Sequence, residues 1–155
     1  MQRTNFQIVP LATEIAEAAR ASARAGAPDH ETLMADQPGA FPCRHCLRWA
    51  EPGERMVLFP YASIPEGRPY SESGPIFVHE KACARYDRTD EYPAEFRQHR
   101  VLRAYNQSND MIDAVILGET EPEKVIMELF ENSAASFLQA RSATRGCYTF
   151  AISRA

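Results

Sequence analysis

The sequence predicts an α+β protein in which a mainly antiparallel sheet and two principal helices form a single domain over residues 1–155. Three observations predict this class. Apolar residues recur at helical spacing in 11–25 and 121–132, shorter apolar runs typical of strands occur about seven times, and polar turn residues join two of these runs as a hairpin. A chain of this length can also bury one hydrophobic core, because such domains bury roughly 70% of the surface that the unfolded chain exposes.

The first part of the chain is predicted to hold a strand, a helix and an ambiguous segment. Residues 5–9 carry the apolar side chains of Phe6, Ile8 and Val9 and end at Pro10, as expected of a short strand. Residues 11–25 are expected to be helical, with Thr13 as the cap that satisfies free backbone N–H groups. Residues 31–36 are ambiguous and compatible with a strand. The apolar face of the helix is expected at four positions: Leu11, Ile15, Ala18 and Ala19.

The middle of the chain is predicted to alternate short strands with turns and one long loop. Residues 47–50 are expected to make a single helical turn, and residues 56–59 a buried strand. Residues 60–75 hold four prolines and two glycines, which predicts a long ordered surface loop. The short apolar run that follows, 76–78, is expected to be a strand that places His79 at its end.

The last part of the chain is predicted to contain a hairpin, the second helix and two final strands. Residues 80–98 are polar and are expected to be helical in part. Thr120 is expected to cap the second helix. The remaining elements follow from their apolar patterns: strands at 101–105 and 111–117, a helix at 121–132, and strands at 136–141 and 147–153.

Charge and hydropathy exclude several classes of function. The formal net charge is -4 and the pI is about 5.6, whereas general nucleic-acid binding relies on a basic face that displaces counterions from phosphates. The same charge argues against attachment to an anionic membrane surface, and no apolar run approaches the roughly 20 residues that a membrane helix requires. We therefore expect a cytoplasmic protein that binds neither nucleic acid nor membrane. In a reducing cytoplasm its four cysteines are expected to be thiols rather than disulfides.

Three of these cysteines and one histidine form two short-spaced pairs typical of a metal site. Cys43 and Cys46 make a C-x-x-C pair, and His79 and Cys83 make an H-x-x-x-C pair. Zinc takes four such ligands in a tetrahedron, commonly as two pairs from separate segments. A tight turn presents the first pair together, and a helical turn presents the second pair on one side. The sequence therefore predicts a structural zinc site of Cys43, Cys46, His79 and Cys83, which is closed because four protein ligands leave no position for water.

The neighbours of these residues add three expectations. His45 lies between the two cysteines and is a competing ligand. Three thiolates and a neutral imidazole around Zn²⁺ leave a single net negative charge, which the nearby cations Arg44, Arg48 and Lys81 are expected to offset. Cys147 follows Gly146 at a strand start and is expected to pack in the interior rather than to serve as a fifth ligand.

Two other interpretations of the cysteines stay open. Cys46 and Cys83 are compatible with small core residues, and His79 with a surface position at a strand end. A C-x-x-C thiol redox protein is the second alternative, and it predicts an exposed Cys43 with a lowered pKa.

A small enzyme is a further alternative. Arg103 and Tyr105 lie two residues apart on a predicted strand, so their side chains are expected to share a face that suits an anionic ligand. The active-site pocket would then lie between this strand and the 60–75 loop. Glu51 and Glu54 flank a turn and are expected to be exposed turn acids rather than an acid–base pair. The sequence assigns no catalytic residue and leaves open whether the protein is an enzyme.

Several fragments, taken in order, resemble one protein family. They are 41–44 (Phe-Pro-Cys-Arg), 50–54 (Ala-Glu-Pro-Gly-Glu), Tyr70 with 73–79 (Ser-Gly-Pro-Ile-Phe-Val-His), 103–105 (Arg-Ala-Tyr) and 146–148 (Gly-Cys-Tyr). Through them the chain resembles the bacterial family 1203 of domains of unknown function, most clearly over residues 41–153. The resemblance implies a complete one-domain bacterial protein and supplies no activity. We therefore predict a small bacterial binding or interaction module with a structural zinc site, whose partner is a small molecule or a protein.

Overall fold

The computed structural model describes residues 5–155 and confirms the predicted α+β class. Over this range the chain forms two α-helices and eight strands, which lie in a five-stranded and a three-stranded antiparallel sheet. The described residues divide into two compact units. Unit 1 comprises the described residues up to Val9 together with Ala62–Glu72 and Asp87–Ala155, and unit 2 comprises Pro10–Tyr61 and Ser73–Tyr86. The single domain expected over 1–155 remains a prediction.

The helices and strands are numbered in chain order. The helices are α1 (Thr13–Arg24) and α2 (Pro122–Phe130), and the strands are β1 (Phe6–Val9), β2 (Glu31–Met34), β3 (Arg55–Ile64), β4 (Glu72–His79), β5 (Arg100–Tyr105), β6 (Met111–Ile116), β7 (Phe137–Ser142) and β8 (Tyr148–Arg154). The predicted hairpin is confirmed as β5 and β6, which pair in antiparallel fashion around a turn at 106–110. The two final strands are confirmed as β7 and β8.

Unit 1 is built around the five-stranded sheet, whose order is β1-β8-β7-β5-β6. Every neighbouring pair is antiparallel, and the pairing of β1 with β8 joins the first and the last strand of the described chain. Helix α2 buries Val125, Ile126 and Leu129 on its apolar face. Apolar side chains of the strands supply the rest of the core: Phe6, Ile8, Leu102, Leu138, Phe150 and Ile152.

Unit 2 contains α1, β2 and most of β3 and β4. The three strands lie in the order β2-β3-β4. The ambiguous segment at 31–36 is a strand, because β2 pairs with the start of β3 from Glu31 opposite Leu58 to Met34 opposite Arg55. Buried apolar residues of the two longer strands form the core of this sheet: Met56, Val57, Phe59, Ile76 and Val78.

Helix α1 buries only part of the face expected. Leu11, just before the helix, and Ala19 are buried as predicted, whereas Ile15 and Ala18 are exposed and Ala16 and Arg20 are buried instead. A buried arginine requires polar partners, because an unpaired buried charge is costly.

Both predicted helix caps are wrong. Ala12 and Glu121 occupy the N-cap positions of α1 and α2, and neither makes a side-chain cap hydrogen bond. Thr13 is instead the first residue of α1, and its hydroxyl bonds to a histidine ring described below. Thr120 precedes the N-cap of α2, where Pro122 at the helix start needs no partner for a backbone N–H.

The long loop predicted at 60–75 is also wrong. β3 continues past Pro60 and β4 begins at Glu72, which leaves only 65–71 between the two strands. The prediction took the prolines and glycines as signs of a loop. A strand also tolerates these residues where its edge is unpaired. The pairing of β3 with β2 ends at Leu58, and β4 is an edge strand.

Two expected helical segments are corrected as well. Residues 47–50 contain no helical turn, because Leu47 has a φ of 56°, outside the right-handed helical region. Within 80–98 only a short 3-10 helix forms, at Ala94–Phe96. The remainder of that segment lacks regular secondary structure.

Candidate metal centre

The segment that carries the C-x-x-C pair is held as a tight turn, as predicted. Pro42 and Trp49 form an antiparallel bridge, and Cys43 forms a parallel bridge with Phe77 of β4. Within the turn, the N–H of Leu47 donates to the carbonyl of Cys43 at 3.0 Å. The positive φ of Leu47, uncommon outside glycine, reverses the chain directly after the second cysteine.

The second pair comes from the end of β4 and the irregular chain after it. His79 is the last residue of β4, as predicted. The helical turn expected at 79–83 is wrong, because Cys83 lies in a segment without regular secondary structure. Backbone groups of this region bond to the C-x-x-C turn instead of to one another. Two such hydrogen bonds measure 3.0 Å: Arg44 N–H to the carbonyl of Phe77, and Tyr86 N–H to the carbonyl of His45.

These two segments bring the four predicted ligands together. The ligand atoms of Cys43, Cys46, His79 and Cys83 all lie within 4.8 Å of one another. The Sγ atoms of Cys43 and Cys83 are 3.9 Å apart, and Sγ of Cys46 is 3.6 Å from Nδ1 of His79. With Zn–S near 2.3 Å and Zn–N near 2.0 Å, a tetrahedral site places two sulfurs about 3.8 Å apart and a sulfur and a nitrogen about 3.5 Å apart. Both measured separations fit the edges of such a tetrahedron.

A carboxylate orients the ring of His79. Its Nε2 lies 3.3 Å from Oε1 of Glu54, and the same oxygen accepts the backbone N–H of Glu51 at 2.7 Å. A hydrogen bond from Nε2–H to the carboxylate leaves Nδ1, which faces Cys46, as the nitrogen available to a metal. Glu51 and Glu54 are exposed, as predicted, but the role of Glu54 beside His79 was missed. Glu54 and His79 lie 25 residues apart in the sequence, and no pattern in the sequence indicated their contact.

The sulfur of Cys83 has two neighbours from outside the ligand set. Nδ1 of His45 lies 3.2 Å from it, and a terminal nitrogen of Arg20 donates to it at 3.5 Å. Nε2 of His45 in turn lies 2.8 Å from Oγ1 of Thr13. His45, expected as a competing ligand, therefore lies beside a ligand sulfur and outside the four-residue group.

Of the cations expected to offset the charge of the site, Arg44 is buried and donates to the carbonyl of Pro42 at 2.7 Å, whereas Arg48 and Lys81 are exposed. Arg20, which the sequence analysis missed, contacts the site directly. The only local signal was that a charged residue, Arg20, lies next to a buried alanine in the helix, where its charge needs a polar partner.

Hydrogen bonds among these side chains shift the pKa values of Cys43, Cys46 and His79 in the metal-free protein. Contacts with the thiols of Cys46 and Cys83 hold the pKa of Cys43 well below its usual range. The contact with Cys43 raises the pKa of Cys46, and hydrogen bonds with Cys43 and Cys83 raise the pKa of His79 to about 10. At neutral pH Cys46 and His79 therefore hold protons. Burial lowers the pKa of His45, so that its ring is neutral.

The four cysteines are free thiols, as predicted. The redox alternative expected an exposed Cys43 with a lowered pKa. Its pKa is lowered, but its side chain is 0% exposed. Cys147 is half-buried rather than packed in the interior, and its Sγ donates to the carbonyl of Arg145 at 3.8 Å. It is not a member of the four-residue group.

Arg103 and Tyr105, the basis of the enzyme alternative, have partners within unit 1. Arg103 donates to the carboxylate of Glu72 at 3.3 Å. Tyr105 is 1% exposed and its ring stacks on Phe137. The two side chains lie on the same face of β5, as predicted, because the strand pairs with β7 without a break from Arg103 to Tyr105, but burial of Tyr105 leaves that face closed.

Comparisons with known proteins give a family and no activity. The protein family described as "Protein of unknown function (DUF1203)" matches residues 40–154. A search of curated proteins and a search of solved structures found no match. In the described part of the chain, no helix has the length and apolar character needed to cross a membrane.

Proposed function

The chain belongs to the family of unknown function DUF1203, which names no activity, and from the site itself we propose that the protein binds one structural Zn²⁺ through Cys43, Cys46, His79 and Cys83. The metal joins the C-x-x-C turn to the chain that follows β4, and both segments lie in unit 2. In this role the metal stabilises unit 2, and the protein serves as a cytoplasmic binding or interaction module for a small molecule or another protein.

One observation carries the proposal. Three sulfurs and one imidazole nitrogen from two separate segments lie within 4.8 Å of one another, at separations that suit a tetrahedral ion. Thiolates and imidazole are the ligands that zinc favours, and carboxylates that would suit magnesium or calcium are absent from the group. The carboxylate of Glu54 beside His79 adds the outer partner that metal-binding histidines usually have.

The ligand number favours a structural over a catalytic ion. A catalytic zinc keeps one position open for water or substrate, whereas four protein ligands complete the tetrahedron. Structural zinc supplies folding free energy directly, about 10–16 kcal/mol of apparent binding free energy in small zinc-dependent domains. Zinc thiolates also suit a reducing compartment, where free cysteines persist.

The test is elemental analysis of the full chain purified without a histidine tag. We expect about one Zn per chain in the wild type and in Cys147→Ser, and less than a tenth of that in a Cys43→Ser, Cys46→Ser double variant. Cys147→Ser is the matched control, because it removes a thiol from outside the four-residue group. Loss of zinc is expected to lower the thermal unfolding temperature of the double variant.

Two results would contradict the proposal in different ways. One iron per chain in place of zinc would preserve the site and refute the identity of the metal. No metal in the wild type, together with a double variant as stable as the wild type, would leave the cysteines as core or redox residues.

A further inference from the structure

We infer that Arg20 and His45 are positioning residues of the metal site, which hold the Cys83 thiolate through two N–H groups and thereby set the affinity for the metal. This inference rests on the proposed zinc function. It concerns side chains that bind no metal themselves, since neither belongs to the four-residue group.

His45 presents a fixed N–H group to the sulfur. Its Nδ1 lies 3.2 Å from Sγ of Cys83, and its Nε2 lies 2.8 Å from Oγ1 of Thr13. A neutral imidazole has one N–H group, and a metal-bound thiolate can only accept, so the proton lies on Nδ1 facing the sulfur and the hydroxyl of Thr13 donates to Nε2. The ring is 1% exposed, and water therefore does not compete for either nitrogen. The sulfur thus sets the tautomer, and Thr13, at the start of α1, satisfies the second nitrogen.

Arg20 links two ligands through one guanidinium group. Its Nε donates to the backbone carbonyl of His79 at 2.7 Å, and a terminal nitrogen donates to Sγ of Cys83 at 3.5 Å. The planar fork of arginine allows both contacts at once, and the point charge of a lysine does not. Because Arg20 is 6% exposed, its interactions with the site are screened less than those of a surface cation.

Charge balance gives these contacts their energetic effect. Three thiolates, a neutral imidazole and Zn²⁺ together carry one net negative charge, and the guanidinium of Arg20 cancels it. Two side-chain N–H groups from outside the ligand set face the sulfur of Cys83. Outer partners of this kind typically change metal affinity by about 10–100-fold. We therefore expect the affinity for the metal to depend on the contacts that Arg20 and His45 make with the Cys83 thiolate.

The test is a competition titration of Zn²⁺ against a chromophoric chelator, paired with the absorption spectrum of the Co²⁺-loaded full chain. Arg20→Gln and His45→Leu each remove an N–H group that faces the sulfur, and are expected to weaken Zn²⁺ binding by about 10–100-fold. Both are also expected to move the thiolate-to-cobalt charge-transfer band to longer wavelength, because a sulfur without hydrogen bonds releases electron density more readily. A purely structural role would leave that band in place.

Two variants serve as controls. Arg24→Gln removes the same charge from an exposed position in the last turn of α1, and is expected to bind Zn²⁺ as the wild type does. His45→Asn keeps an N–H group near the position of Nδ1, and is expected to restore most of the affinity and the position of the cobalt band. If the truncating variants fail to fold, Arg20→Lys and His45→Asn decide, with weaker binding expected only for Arg20→Lys.

The outcomes separate this inference from the proposed function. Wild-type protein that binds Zn²⁺, with variants at Arg20 and His45 that match its affinity and its cobalt spectrum, overturns the inference and leaves the zinc site in place. Wild-type protein that binds no metal overturns both. Equal weakening by Arg24→Gln also overturns the inference, because general charge and not contact with Cys83 would then set the affinity.

Discussion

Nε2 of His79 lies 3.3 Å from Oε1 of Glu54, and this contact turns Nδ1 of the same ring toward Sγ of Cys46 at 3.6 Å. An exposed acid in a turn thereby sets the orientation of a proposed metal ligand. We expect Glu54→Gln to weaken Zn²⁺ binding by about tenfold, because the amide is a poorer acceptor for Nε2–H. Isothermal titration calorimetry measures the change. Glu51→Gln is the control, since its side chain has no contact with His79, and equal affinity in both variants would contradict the role of Glu54.

Metal binding is expected to release protons. In the metal-free protein Cys46 and His79 hold protons at neutral pH, since hydrogen bonds with neighbouring thiols raise the pKa of Cys46 and raise that of His79 to about 10. Metal ligands must be deprotonated, so the bound state carries fewer protons and a rise in pH favours binding. We expect affinity to fall about tenfold per released proton for each unit of pH decrease. Chelator competition between about pH 6 and 8 measures this slope, and a flat profile would contradict it.

Removal of the metal is expected to destabilise the backbone that joins the two ligand segments. A ligand that binds only the native state adds about 2.7 kcal/mol when its free concentration is about 100 times Kd. After treatment with a chelator we expect faster hydrogen exchange at the amides of Arg44 and Tyr86, which donate across the two segments. Cys147→Ser should respond as the wild type does. Unchanged protection of both amides after complete metal removal would refute the structural role.

In unit 1, Glu72 is expected to stabilise the fold through a buried arginine. The side chain of Arg141 is 2% exposed and donates to Glu72 at 2.9 Å. Further donors of Arg141 bond to Gln139 and Ser63. Glu72→Ala removes one acceptor of a buried charge and should lower the free energy of unfolding by about 2 kcal/mol. Urea denaturation tests this, with Glu66→Ala in the adjacent exposed loop as the control, and equal effects would show that the ion pair contributes nothing.

The pair of Arg97 and Glu123 is expected to give a small stability that depends on pH. Hydrogen bonds from Arg97 lower the pKa of Glu123 below its usual 4.5. Because the pKa of Glu123 is lower in the folded protein than in the unfolded chain, the ion pair adds stability above the unfolded pKa. This stability is lost as the pH falls through the folded pKa. Glu123→Gln should therefore cost about 0.5 kcal/mol at neutral pH, because the pair is partly exposed. The cost should disappear in acid, whereas a constant difference at all pH values would contradict the assignment.

Local patterns were enough to predict the strands with uninterrupted apolar runs and the helix α2. They failed where pairing with another strand decides the conformation. β3 continues through Pro60 because its pairing with β2 ends at Leu58, and proline content alone carries no information about that edge. The prediction of Thr13 as a helix cap failed for a related reason, because a distant residue decides where its hydroxyl bonds. The partner is His45, 32 residues away.

The grouping of Cys43, Cys46, His79 and Cys83 was predictable because the spacing within each pair is itself local, two residues in one pair and three in the other. The surroundings of the ligands were not. Arg20 meets the carbonyl of His79 across 59 residues of chain, and Glu54 meets its ring across 25. Such contacts depend on how α1 and the β3 start pack within unit 2, and no spacing rule encodes them.

The positions of the ligands along the chain have a consequence for synthesis. Polypeptides emerge from the ribosome in order, N-terminal residues first. The last of the four proposed ligands is Cys83, and all of unit 2 precedes Asp87, so a nascent chain carries the complete group before most of the five-stranded sheet has been made. β1, by contrast, pairs with β8, the last strand of the described residues. Under the proposed function, the metal-binding group is therefore complete before the sheet can close, and we expect zinc supply during translation to affect folding yield.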